Sequence, residues 1–186
     1  MRKNIVIISG ASAVGKGALI EELVQTYNWQ AMRSITDRPK REEELIKGSL
    51  YKHVSTEEFQ ELKHNGELLE YNQPYGTDWY GLEKQPVVDA IERGYIAVKD
   101  IDVKGYIQVM QSDYKKHIYG VFLQAPSIET LRERMRKRGV LPKDVEERRL
   151  KRAVEEEKEA YRYDMMLISE DGKIPQIART IYTRIV

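Results

Sequence analysis

The sequence predicts an α/β protein built on a parallel sheet with helices on both faces and interrupted by an inserted subdomain. Three observations carry that expectation. A continuous β-branched run, Ile5-Val6-Ile7-Ile8, leads through a glycine-rich turn into a helical repeat. Short apolar runs then alternate with helix-period segments along the second half of the chain. Between these, residues 34–82 break the alternation with a stretch rich in Tyr, Gly, Arg and Glu. Alternation of this kind implies parallel strands, because a parallel pair needs a crossover connection and a helix usually supplies it.

Taken in order, the first strand is apolar at successive positions, which reads as a strand buried on both faces. Leu19, Ile20, Leu23, Val24 and Tyr27 follow at helical spacing. Inside the insertion, Ser55-Thr56-Glu57-Glu58 signals a helix start, with Phe59 and Leu62 as its apolar face. Gly94 ends a helix-like segment, so a second core strand is expected at 95–98, a third at 118–123 and a fourth at 165–168. Helical patterns cover 103–110, 128–138, 145–161 and 174–185, and Asp144 with Glu147 reads as a capping box for the longest. An insertion after the first helix sits where α/β folds place ligands, beyond the carboxyl ends of the strands.

Composition narrows the function classes. A chain of 186 residues with 41% hydrophobic and 33% charged residues suits one water-soluble domain carrying a small insertion. The net charge is +1, and the arginines between 132 and 152 are interleaved with glutamates, so neither nucleic acid nor a membrane is expected as a partner. A solvated helix face is the plain reading of most of those arginines. The sequence has no cysteine, which excludes disulfides, thiolate nucleophiles and cysteine zinc sites. The basic start followed by four apolar residues is too short for a signal peptide, and a cytoplasmic protein is expected.

Gly10-Ala11-Ser12-Ala13-Val14-Gly15-Lys16 fits G-x-x-x-x-G-K in the context that motif requires, after a strand and before a helix. Its glycines let backbone N–H groups wrap a phosphate, the helix N-terminus adds a favourable dipole, and Lys16 brings a point charge to the β- and γ-phosphates. These residues, with Gly17 and Ala18, form the expected ATP site of a P-loop core. Neither Gly17 nor Ala18 carries the hydroxyl that such loops usually offer to Mg²⁺, which leaves the metal to water and nucleotide phosphates.

Further motifs resemble the guanylate kinase family along nearly the whole chain. They are Ser34-Ile35-Thr36-Asp37-Arg38-Pro39-Lys40-Arg41, followed by Glu44, Gly48 and Tyr51; Glu70-Tyr71; Trp79-Tyr80-Gly81; and Asp100-Ile101-Asp102-Val103-Lys104-Gly105. Ala125-Pro126-Ser127 and the spacing of Arg134, Arg138-Gly139 and Arg149-Leu150 complete the pattern. The resemblance implies a single domain with a core at about 1–33, 83–137 and 150–186, an acceptor-binding insertion at about 34–82 and a lid at about 138–149. It implies that Ser34, Arg38, Arg41, Tyr51 and Tyr80 hold the acceptor phosphate, that Glu70 and Asp102 read the base, and that Arg134 lies by ATP. Arg138 and Arg149 are then the lid cations that approach the transferring phosphoryl group, with Lys16 and Arg38 beside them in catalysis.

The residues themselves agree with that chemistry. Two arginines three apart can share one dianionic phosphate, and tyrosine hydroxyls add directed donors. Asp100 and Asp102 close a hydrophobic strand beside the P-loop, where one suits Mg²⁺ or its waters and the other a base N–H; either could instead cap the following helix. The expected reaction is ATP + (d)GMP to ADP + (d)GDP with Mg²⁺, by a monomer or homodimer. The alternatives are a kinase of the same fold for another nucleoside monophosphate, and a catalytically silent interaction module. Three positions depart from the family besides Ala18: Leu82 stands where a hydroxyl is usual, Ser169 where asparagine is common, and Lys99 where an apolar residue is usual.

Overall fold

The computed structural model describes residues 3–40, 51–74, 76–137, 139 and 142–186. Strand β1 (Ile5–Ser9) is buried along its whole length, as a run with no polar alternation requires. It pairs in parallel with β7 (Ala97–Asp100) on one side and β8 (Ile118–Gln124) on the other. Strands β2 (Gln30–Ala31) and β9 (Met165–Ile168) complete a five-stranded parallel sheet in the order β2-β7-β1-β8-β9.

Alternate side chains of β1 leave for opposite faces and found separate apolar clusters. Val6 and Ile8 pack with Leu19 and Leu23 of α1 (Lys16–Tyr27), Leu131 of α5 (Ile128–Lys137), Leu150 of α6 (Lys143–Glu157) and Ile177 and Ile181 of α7 (Ile174–Ile185). Ile5 and Ile7 pack with Val87 and Ala90 of α3 (Lys84–Arg93) and with Val103, Tyr106 and Val109 of α4 (Val103–Met110). Helices therefore cover both faces, as expected.

The insertion builds its own mixed sheet in the order β4-β3-β6-β5, from β3 (Ser34–Thr36), β4 (Tyr51–His53), β5 (Leu68–Asn72) and β6 (Tyr80–Glu83). The pair β3–β4 is parallel and the other pairs are antiparallel. Helix α2 (Thr56–His64) buries Phe59 against Ile35 and Leu68, and Ser55 caps it by accepting from the Glu58 N–H at 3.1 Å.

Several boundaries differ from the sequence reading. Gly94 takes the left-handed conformation (φ 73°) and turns the chain, so pairing with β1 starts at Ala97 instead of Tyr95. β2 is too short to show any period, and it was not expected. Helix α6 starts at Lys143 behind Pro142 with no side-chain cap, which overturns the capping box. Asp144 and Glu147 already lie inside the helix there, and they pair instead with Arg148 (3.1 Å) and Arg132 (2.9 Å). The same helix stops at Glu157, ahead of a 3₁₀ turn at Ala160–Arg162. No helix among the described residues is long and apolar enough to cross a membrane.

Candidate active site

The phosphate loop leaves β1 at Gly10, whose φ of +143° and 2.1 Å approach of a would-be Cβ to the Leu123 carbonyl oxygen admit only glycine. Ala13 (φ 67°) and Gly15 (φ 111°) continue the wrap, and α1 then opens with no side chain capping it. Backbone N–H groups at that terminus keep their capacity for an anion. The Lys16 ammonium donates to the Gly10 carbonyl at 2.6 Å and the Ala11 carbonyl at 2.9 Å, so it lies across the loop it belongs to. Gly10, Ser12, Ala13, Val14, Gly15, Lys16 and Gly17 line a cleft of about 540 Å³. Ala11 is buried behind it, and Ala18 lines a second cavity of about 360 Å³ on the far side of the loop, with Arg134 and Ser169. Arg134 ties that side together through the Ser169 carbonyl (2.7 Å), the Val14 carbonyl (3.3 Å) and Asp171 (2.6 Å).

Across the cleft stand Ser34, Arg38, Tyr51 and Tyr80 from the inserted sheet. Strand β3 supplies Ser34, and its neighbours β4 and β6 supply the two tyrosines, whose rings meet edge-on at 5.8 Å. Arg38 is buried, donates to the Pro39 carbonyl at 2.7 Å and lies 5.6 Å from the centre of the Tyr51 ring. A guanidinium and two phenols thus converge on one patch of wall, a set of donors suited to a phosphate dianion. Arg41 and Arg138 lie outside the described residues.

Glu70 is the most unusual group in the cleft. It is only 6% exposed, yet its carboxyl accepts no hydrogen bond from the described residues. Burial first, and the Asp102 charge second, push it up to about 8 from an ordinary 4.5, against the pull of Lys99. Gly105 makes room for it, since a Cβ there would stand 2.6 Å from Glu70 Oε2.

Asp100 ends β7 in the cleft and pairs with Lys99 at 2.7 Å. Burial works against its charge, but Lys99 and Lys16 outweigh it and hold the carboxyl below its ordinary range. Asp102 lies past the strand end, so strand alternation does not govern it. It caps α4 instead, with Oδ1 accepting from the Gly105 N–H at 2.8 Å. Its other oxygen accepts from Asn72 (2.6 Å) and Arg152 (2.8 Å).

Arg152 overturns the plain reading of the basic helix. It is not a solvated side chain; it bonds Asp102, Glu156 (2.6 Å) and the Pro74 carbonyl (2.9 Å), joining α6 to the core and the insertion. Arg149, Arg152 and Glu156 all line the cleft, and their spacing of three and four along a helix was the signal available in the sequence. Arg132 and Arg136 likewise converge on the buried Glu146.

Comparison with known proteins shows which family the chain falls in. The family model described as "Guanylate kinase" matches residues 2–180. The chain belongs to the guanylate kinase family. A guanylate kinase of Carboxydothermus hydrogenoformans is 35% identical over 168 residues, covering 90% of this chain and 80% of that one. One from Clostridium tetani is 33% identical over 166 residues, covering 89% and 78%. The crystal structure of guanylate kinase from Anaplasma phagocytophilum superposes with a TM-score of 0.76 at 27% identity, covering 99% of this chain and 84% of that one. A shikimate kinase from Bacteroides thetaiotaomicron shares the fold alone, with a TM-score of 0.50 and 13% identity over 97% and 96% of the two chains. Members of the guanylate kinase family are nucleoside monophosphate kinases, so the α/β core and the separate mixed sheet of this chain are those of such a kinase, with ATP as a substrate.

Proposed function

We propose that the chain transfers the γ-phosphoryl group of ATP to GMP or dGMP, with Mg²⁺, giving ADP and GDP or dGDP. The observation that carries the choice of base is Glu70, a buried carboxyl with no protein donor among the described residues, facing the same cleft as the phosphate loop. Ionised, it accepts from guanine N1–H and N2–H together; adenine presents a lone pair at N1 and is repelled.

The acceptor oxygen belongs to a phosphate already ionised at neutral pH, so catalysis is positioning and charge neutralisation without a general base. Ser34, Arg38, Arg41, Tyr51 and Tyr80 hold the acceptor phosphate in line. Lys16 leaves the Gly10 and Ala11 carbonyls for the donor phosphates, and the loop N–H groups cradle them. Arg138 and Arg149 approach with a lid at about 138–149 and exclude water that would otherwise hydrolyse ATP. Ala18 and the second cavity, with Arg134, take the adenosine side. Asp102, satisfied by Arg152 and Asn72, supports the base site by fixing the start of α4 beneath Glu70.

The donor set suits Mg²⁺: an ionised Asp100 stands in the cleft, and this metal binds through one or two carboxylates, waters and substrate phosphates. Asp100 would hold it, directly or through water, and bound metal supplies charge neutralisation at the β- and γ-phosphates. A coupled ADP-release assay with ATP, Mg²⁺ and a panel of ribo- and deoxyribonucleoside monophosphates tests the proposal. GMP or dGMP is expected to be the best acceptor; a preference for an adenine or pyrimidine nucleotide overturns the guanine assignment.

A further inference from the structure

Lys99 is a buried cation whose hydrogen-bonding capacity the fold leaves mostly unused. It stands opposite Ile7 in the β1–β7 register, so its stem leaves the sheet on the apolar side shared with Ile5 and Ala97. Its side chain is only 8% exposed, and it lines the cleft. An ammonium has three N–H donors. One goes to Asp100 at 2.7 Å, and no other acceptor for Lys99 is found among the described residues. A buried lysine with idle donors is costly, and here the ion pair with Asp100 compensates it only in part.

Glu70 has the complementary surplus: acceptor lone pairs in the same cleft and no donor to fill them. The two groups feel each other's charge. A donor and an acceptor that line one cleft can together meet a lactam edge, in which a carbonyl oxygen adjoins an N–H. Guanine offers that edge at O6 and N1–H; adenine offers the reverse, an amino group beside a lone pair. The hydroxyl route to O6 is closed in this chain, because Leu82 carries no donor and is fully buried among apolar side chains away from the cleft wall.

We propose that Lys99 donates to the O6 oxygen of the acceptor guanine and, with Glu70, determines the choice of a 6-oxo over a 6-amino base. The proposal rests on the guanine reading given above. Lys99 is thus a specificity residue that touches the base, while Asp100 holds the ammonium in place from the other side.

The test compares wild type with K99M, using GMP and 6-thio-GMP, whose sulfur is a poor acceptor at that position, each at saturating ATP. Wild type is expected to favour GMP over 6-thio-GMP by about tenfold or more in kcat/KM, as a charge-assisted hydrogen bond warrants. In K99M the GMP value falls by about ten- to a hundredfold, chiefly through KM for GMP, and the gap between the two nucleotides closes. The KM for ATP, measured at saturating Mg²⁺ because Lys99 also pairs with Asp100, moves much less than the KM for GMP. Equal losses for the two nucleotides, a matching rise in the KM for ATP, or an unaltered K99M each overturn the proposal. So does a wild type that does not distinguish the two nucleotides, a measurement that needs no variant to fold. A wild type that prefers AMP overturns the guanine reading and this one together; preference for GMP with an unaltered K99M overturns this one alone.

Discussion

Replacing Glu70 with glutamine should change the pH dependence of stability for the whole molecule. The carboxyl sits at about 8 in the folded chain against an ordinary 4.5. Between those values the folded state keeps a proton that the unfolded state has lost. Stability from this group is therefore fully present below the unfolded pKa and is lost as pH rises through the folded one. At about 1.36 kcal/mol per pH unit the interval is worth about 5 kcal/mol, of which about 2 is gone by pH 6 and about 3 more by pH 8. Glu70→Gln is neutral throughout and has no such slope. Urea denaturation of both nucleotide-free proteins at pH 6 and pH 9 measures the difference, with other titrating groups cancelling. Wild type should lose about 3 kcal/mol more than the variant over that range. Parallel profiles would refute the claim that Glu70 is buried without a partner. The same proton must leave before guanine can donate twice, so the affinity of wild type for GMP should improve with pH up to about 8. In Glu70→Gln the amide NH₂ meets the guanine N–H groups, and kcat/KM for GMP should fall by about a hundredfold or more.

Lys16→Ala should abolish phosphoryl transfer while leaving thermal unfolding nearly unchanged, because the ammonium's bonds to the Gly10 and Ala11 carbonyls stay within its own loop. The expected loss is on the order of 2.7–4 kcal/mol of transition-state stabilisation, and near-normal turnover would rule the role out. Gly105→Ala places a methyl group 2.6 Å from Glu70 Oε2 and 2.4 Å from Ile101 Cγ2, so steady-state kinetics should show a raised KM for GMP with little change for ATP. Gly120→Ala drives a Cβ to 2.2 Å from the Tyr106 hydroxyl, and neither residue lines the cleft; calorimetry should show about 1–3 kcal/mol of destabilisation.

The extent of what could be read from the chain follows from the range of the interactions involved. The phosphate loop was legible because its determinants are local: a buried strand, glycines at positive φ and a helix start lie within 16 residues. The core strands and most helices were legible for the same reason, as period and end signals sit next to one another in sequence. Ser34, Arg38, Tyr51, Tyr80 and Glu70 could be named through the resemblance, and the fold does bring them into one cleft with the loop. Sequence alone thus determined the fold class and the family, and it picked out the glycine-rich loop that lines the cleft. Strand β2 escaped because two residues carry no period, and its existence rests on pairing with β7. Arg152, Asn72 and Asp102 join across 30 and 50 residues, and no local pattern separates such an arginine from a solvated one. Leu82 looked like a gap in the base site, yet it belongs to the apolar cluster, and Lys99 looked like an intruder in a strand, yet its ammonium reaches the cleft. Those assignments depend on which face a strand turns to its neighbours and on how deeply each charge is buried. Both are properties of packed elements, so only the tertiary structure could decide them.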